Sequence, residues 1–207
     1  MTIIPIGFIS SETLTLIYEL MIPVILFASF VKSIITNVKF NIVDIAVTLL
    51  APLYTTFLAS FISRTRSLED GGAWYVWFII GGAWFTDIFA FLIGKYAGKH
   101  KLNKISPNKS WEGCVAGLTG GIVFYIIFTM ILRNLHICEL NYLVMGILGC
   151  IVSLVSQIGD LAASSIKRHC EIKDFSNLMP GHGGMLDRFD SCLFISPIVY
   201  VALLMML

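Results

Sequence analysis

The length of its apolar runs constrains this chain more than any other feature. About 17 to 25 consecutive apolar residues in a helix cross the hydrocarbon core of a bilayer. Runs of that kind fall near residues 14–31, 41–63, 72–94, 112–132, 142–166 and 190–207. Stretches such as Ile122 to Leu132 are continuously apolar. That disfavours a transmembrane barrel, whose strands alternate in polarity over ~10 residues. The expected fold is all-α, a polytopic transmembrane helical bundle of about six spans. Composition agrees, since only 13% of the residues are charged against about 25% in soluble domains.

Charge placement predicts orientation. Eleven of the fourteen Lys and Arg residues lie in the loops after the first, third and fifth runs or beside them: Lys32, Lys39, Lys95, Lys99, Lys101, Lys104, Lys109, Lys167, Arg168, Lys173 and Arg188. Only Arg64, Arg66 and Arg133 flank the alternate loops. Because Lys and Arg accumulate on the cytoplasmic side, the basic loops are expected to be cytoplasmic and both termini outside. The net charge of +1 gives no reason to expect nucleic acid as a partner. The first thirteen residues carry no Lys or Arg, unlike the basic start of a cleavable signal peptide, so the first span is expected to stay. Cys114, Cys138, Cys150, Cys170 and Cys192 form no CxxC pair and no zinc-like cluster, so they are read as reduced thiols that pack.

No internal repeat divides the chain. Residues 1–70 are expected to form an N-terminal transmembrane region and 71–207 a catalytic transmembrane region of the same integral-membrane unit. Small residues recur every fourth position at Gly113, Gly117 and Gly121, and at Ala90, Gly94 and Gly98. That spacing lets neighbouring helices approach closely, and packing is the favoured reading.

Several polar residues stand out against this background. Ser153, Ser156, Gln157, Asp160, Ser164 and Lys167 share one face of the fifth span. A carboxylate inside a span costs roughly 2.5–3.5 kcal/mol on insertion scales, so Asp160 is read as functional. Asp87, in the third span, poses the same problem, with helix pairing as an equal alternative. Asp187 and Asp190 lie one turn apart where the sixth span begins. Oxygen ligands of this kind suit Mg²⁺, which takes one or two carboxylates together with phosphate oxygens; the bland alternative is a favourable helix N-terminus. Upstream, Pro180-Gly181-His182-Gly183-Gly184 offers backbone that tolerates positive φ and presents N–H groups to phosphate. Lys167, Arg168, Lys173 and Arg188 bracket that loop with the charge a triphosphate needs. In the other basic loop Ser106-Pro107 reads as a helix cap and first helical residue, followed by Lys109, Ser110, Trp111 and Glu112. His182 fits proton transfer, phosphate binding or loop structure, with binding preferred.

Taken together these residues resemble one family. Ser164-x-Ile166-Lys167-Arg168, then Lys173-Asp174, then Pro180-Gly181-His182-Gly183-Gly184-x-x-Asp187-Arg188-x-Asp190-Ser191 is similar to the signature of phosphatidate cytidylyltransferases, the CDP-diacylglycerol synthases. Asp87-x-x-Ala90-Phe91-x-x-Gly94-Lys95 with Gly98 to Leu102, Ile105 to Gly113, and Gln157-x-Gly159-Asp160-Leu161 resemble the same family. The likeness covers most of residues 83–191. Departures are Met179 and Ser176, neither at a charged position, and a length shorter than is usual for bacterial members.

The resemblance implies an integral enzyme of the bacterial inner membrane whose cytoplasmic catalytic loops couple CTP to phosphatidic acid, yielding CDP-diacylglycerol and pyrophosphate. It also implies dependence on Mg²⁺, leaves open a second cation, and implies a homodimer in contact with membrane lipid. The implied catalytic residues are Asp160, Asp187, Asp190, Lys167 and His182, with metal held by Asp160, Asp187, Asp190 and, less firmly, Asp87. Substrate binding falls to Lys95, Lys109, Ser110, Ser164, Arg168, Lys173, Asp174, Gly183, Gly184 and Arg188. Acyl chains are expected to reach the site through a lateral opening beside the fifth span. Two rivals stand beside this reading. A CDP-alcohol phosphatidyltransferase would need an Asp-Gly-x-x-Ala-Arg motif that does not occur here. A transporter would use Asp87 and Asp160 as an ion path.

Overall fold

A computed structural model describes residues 11–37, 39–68, 71–102, 109–176 and 183–207. Helices occupy all six apolar runs: α1 Ser11–Ile35, α2 Ile42–Pro52, α3 Leu58–Arg66, α4 Gly72–Ala97, α5 Trp111–Asn134, α6 Tyr142–His169 and α7 Leu186–Met206. A π-helical turn, Leu53–Phe57, lies between α2 and α3. Five helical stretches are long and apolar enough to cross a membrane, counting Ile42–Arg66 as one, while α1 contributes a shorter apolar segment, Leu20–Ile35. The chain is an integral membrane protein. A β-bridge joins Lys101 to Ser110.

The helix boundaries follow from local chemistry. The Asn41 side chain accepts the Val43 and Asp44 N–H groups, and the Asp44 carboxylate accepts the Asn41 N–H at 2.8 Å, closing a capping box at the start of α2. Pro52 has no N–H to continue the ladder and its ring crowds the carbonyl one turn earlier. The π turn follows directly, with Thr55 Oγ1 donating to the Ala51 carbonyl at 2.8 Å. A hydroxyl that takes up a backbone carbonyl in this way eases a broken helix inside a membrane.

The chain gathers into two compact units, residues 1–60 and 61–207. In the first, α1 packs on α2. In the second, α4 packs on α5, α5 on α6 and α6 on α7. Tyr75, Phe78, Tyr125, Met145, Val152, Ile195 and Val199 are buried at its centre. The Tyr125 hydroxyl donates to the Phe78 carbonyl at 2.8 Å, so the phenol carries no unpaired donor into the core.

The glycine stripe of α5 explains why α4 and α5 lie so close. A Cβ on Gly117 would stand 2.8 Å from the Thr86 carbonyl, and one on Gly113 would stand 2.7 Å from the Ala90 carbonyl. A Cβ on Gly121 would stand 2.8 Å from Thr86 Oγ1 and closer still to Ser153 Oγ, where these two hydroxyls hydrogen-bond at 3.0 Å. Gly121→Ala therefore forces α4, α5 and α6 apart. We expect a loss of about 1–3 kcal/mol, read as a lower thermal midpoint in detergent, whereas exposed Val123→Ala should leave the midpoint almost unchanged.

Candidate active site

The polar stripe of α6 turns inward, as an isolated hydrophilic face on a membrane helix must. Ser153, Ser156 and Gln157 are buried, and Gln157 Nε2 donates to the Cys114 carbonyl of α5 at 3.2 Å. One turn further on, Asp160 projects into a cavity of about 410 Å³. Asp87 of α4, Asp187 and Asp190 of α7, Lys109, Ser110 and Arg188 line the same space. Residues from four helices and one loop thus bring four carboxylates and two basic side chains together.

The α4–α5 loop reaches this cavity through a clip at its base. The Leu102 N–H donates to the Lys109 carbonyl at 2.9 Å, and the Trp111 N–H to the His100 carbonyl at 3.0 Å. His100 Nδ1 also pairs with Glu112 Oε1 at 2.7 Å. Lys109 is thereby carried over Asp160, and the two form an ion pair. Ser110 has extended backbone, φ −122° and ψ 157°, and its hydroxyl accepts the Gly113 N–H at 3.1 Å. Ser110 is therefore the cap of α5, which begins at Trp111. The cap expected at Ser106-Pro107 lies outside the described residues.

Asp187 is engaged more completely than a free metal ligand would be. Its Oδ1 pairs with Lys167 Nζ at 2.8 Å, and its Oδ2 accepts the Phe175 and Gly184 N–H groups, both at 2.9 Å. This carboxylate ties α6 to α7 and pins both ends of the 175–184 loop. Gly183 has φ +77°, the conformation its lack of a side chain permits. A Cβ on Gly184 would meet Ser176 Oγ at 2.5 Å. The Gly184 N–H, expected to cradle phosphate, points instead at Asp187. Asp190, 5% exposed, accepts the Ser191 N–H on Oδ1 at 2.7 Å.

Other expected residues stand apart from the cavity lining. Lys95 is exposed, its ammonium 5.8 Å from the Phe91 ring centroid. Arg168, Lys173 and Asp174 are exposed and Ser164 is half-buried; Asp174 sits against Gly183. Pro180, Gly181 and His182 lie outside the described residues. The cavity also holds residues with no charge to flag them, Trp84, Ile88, Phe91 and Cys114. Their signal was position, because Trp84, Ile88 and Phe91 flank Asp87 on one face of α4.

Carboxylates outnumber cations in this lining, and their donors are all oxygen, so the residues fit a hard divalent cation such as Mg²⁺. Among the described residues no three Asp, Glu, His or Cys side chains converge on one point. A cation here would draw one or two carboxylates and complete its shell with water or phosphate, which is how Mg²⁺ ordinarily binds.

Comparison with known proteins agrees with this chemistry. The model of the cytidylyltransferase family matches residues 1–206. The phosphatidate cytidylyltransferase of Bacillus subtilis (strain 168) is 34% identical over 172 residues, covering 83% of this chain and 62% of that protein. The protein of the same name from Staphylococcus aureus (strain COL) is 37% identical over 175 residues, covering 83% of this chain and 64% of that one. For Staphylococcus haemolyticus (strain JCSC1435) the identity is 34% over 175 residues, covering 84% and 65%. The chain spans less than two thirds of the length of these curated relatives.

Proposed function

Because the chain belongs to the cytidylyltransferase family, we propose that it transfers the cytidylyl group of CTP to phosphatidic acid, as a phosphatidate cytidylyltransferase. The observation that carries this reading is a cavity, inside a membrane-spanning bundle, where Asp87, Asp160, Asp187 and Asp190 face Lys109 and Arg188. Such a site offers oxygen ligands for a cation, positive charge for phosphates and access for a lipid. Relatives named for this reaction support the choice of substrates.

In the reaction, an oxygen of the phosphatidic acid phosphate attacks the α-phosphorus of CTP. The bond from that phosphorus to the bridging oxygen breaks, and pyrophosphate leaves with the electron pair. Transfers of this kind depend on positioning and charge neutralisation rather than covalent help from the protein. Lys109 has three N–H donors and, besides its partner Asp160, can reach a phosphate oxygen. Arg188, in the same lining, presents a fork that matches phosphate geometry. Asp160 and Asp190 are the residues that would hold Mg²⁺, with Asp87 beside them. When bound, Mg²⁺ would supply charge neutralisation for the departing pyrophosphate. Asp187 and Lys167 act by fixing Phe175 and Gly184 beside the start of α7.

We assign the site to the cytoplasmic face of a bacterial inner membrane, which the basic loops after α1, α4 and α6 support through the positive-inside tendency. A homodimer rests on the family resemblance. The test is to supply purified protein with CTP, phosphatidic acid and Mg²⁺ and to omit each in turn. Lipid-linked nucleotide should form only when all three are present. Folded protein that forms none, or that moves an ion without consuming CTP, would contradict the reading and favour a transporter.

A further inference from the structure

The candidate cavity has a polar side and an apolar side, and both reach one face of α4. Trp84, Asp87, Ile88 and Phe91 succeed one another at helical spacing and all line the cavity. Trp84 and Ile88 are each 49% exposed and Phe91 is 66% exposed, in a helix long and apolar enough to span a membrane. The packed face of α4 lies elsewhere, at Thr86 and Ala90 against the glycines of α5. The exposed aromatic face therefore runs without a break from the carboxylate cluster toward the surrounding hydrocarbon.

Volume limits what the cavity can hold. About 410 Å³ lies in the range for one small ligand, roughly 300–1,000 Å³, and leaves no room for a nucleotide together with two long acyl chains. The chains must leave the cavity, and along its apolar side they meet Trp84, Ile88 and Phe91. We propose that these three residues form the acyl-chain platform of the lipid substrate, seating the chains on α4 while Asp87 marks the level at which the headgroup turns toward Lys109 and Arg188. This rests on the reading of the site as a lipid phosphate cytidylyltransferase. The apolar wall comes from α4, whereas α6, the helix of the fifth span, gives the cavity Gln157 and Asp160.

The physics sets the kind of effect to expect. Acyl chains already lie in hydrocarbon, so the platform gains no hydrophobic drive and acts through packing and shape. It should therefore govern which lipids are oriented for reaction.

Two measurements test the platform. The first uses a phosphatidic acid with a photoreactive diazirine in one acyl chain, incorporated into phosphatidylcholine vesicles holding the full chain. Label should fall on the peptide containing Trp84 to Phe91 and be suppressed by excess unlabelled phosphatidic acid but not by added phosphatidylcholine. Label elsewhere, or label that phosphatidylcholine competes equally, would overturn the proposal; the latter is also the outcome if a second copy of the chain or bulk lipid covers this face. This readout needs no turnover, so an inactive protein would sink the cytidylyltransferase reading without obscuring the position of the label. The second compares kcat/KM for dioleoyl and dihexanoyl phosphatidic acid. In Trp84→Ala/Ile88→Ala/Phe91→Ala, or in Phe91→Ala alone if the triple variant folds poorly, the long-to-short ratio should fall by about tenfold. An unchanged ratio would overturn the proposal, because general structural damage lowers both values together.

Discussion

Asp190→Asn is expected to abolish turnover in a protein that still folds. The residue is 5% exposed, and the Ser191 N–H donates to an oxygen that Asn can supply equally well. The substitution therefore removes charge and leaves shape and the local hydrogen bond in place. If Asp190 helps hold the cation that neutralises the leaving group, the rate should fall at least ~10³-fold, about 4 kcal/mol in the barrier. Single-turnover formation of lipid product would measure this, with helical content and thermal midpoint in detergent as controls. Asp160→Asn should behave similarly and, in addition, strip Lys109 of its partner. Near-normal turnover in Asp190→Asn would remove that residue from the cation site.

The second large effect concerns stability. Lys167 and Asp187 form an ion pair at 2.8 Å whose side chains are only 12% and 7% exposed. Removing one member of a buried pair leaves an uncompensated charge, which typically costs about 3–5 kcal/mol. Lys167→Met should therefore lower stability by roughly the lower end of that range, because two backbone N–H groups still hold Asp187. Replacing both residues, as Lys167→Met with Asp187→Leu, should recover part of the thermal midpoint, since the unpaired charge disappears, while the Phe175 and Gly184 N–H groups lose the carboxylate that accepts them. A midpoint in the single variant equal to that of the unaltered chain would mean that the pair contributes nothing, as exposed pairs often do.

The fold was largely legible because membranes impose one strong rule: backbone polar groups in hydrocarbon must be paired, so long apolar runs become helices. The ends of α4 to α7 accordingly fall within a few residues of the apolar runs. The close approach of α4 and α5 was legible in the glycine spacing. The inward turn of α6 was legible in its polar stripe, which could point only into the bundle.

The site was legible in part. Asp87, Lys109, Ser110, Asp160, Asp187, Arg188 and Asp190 meet around one cavity, as their residue types suggested. Pairings were not legible, because partners far apart in sequence are chosen by tertiary packing. Lys109 finds Asp160, and Lys167 finds Asp187, whereas a basic loop alone offers many equivalent lysines. Lys95, Arg168 and Lys173 illustrate the ambiguity, since a cation that flanks a span and one that binds phosphate look identical in sequence. The three apolar wall residues carried no chemical signal, and only the geometry of α4 distinguishes them from other lipid-facing side chains.

Cytidylyl transfer can be followed through the phosphorus atoms of CTP. Purified protein in phosphatidic acid vesicles with Mg²⁺ would receive CTP labelled at either the α- or the γ-phosphorus. The α-label should move into the chloroform-soluble lipid, the γ-label should appear in pyrophosphate in equal amount, and Asp190→Asn should suppress both. Release of γ-label as orthophosphate, or γ-label in the lipid, would contradict cytidylyl transfer.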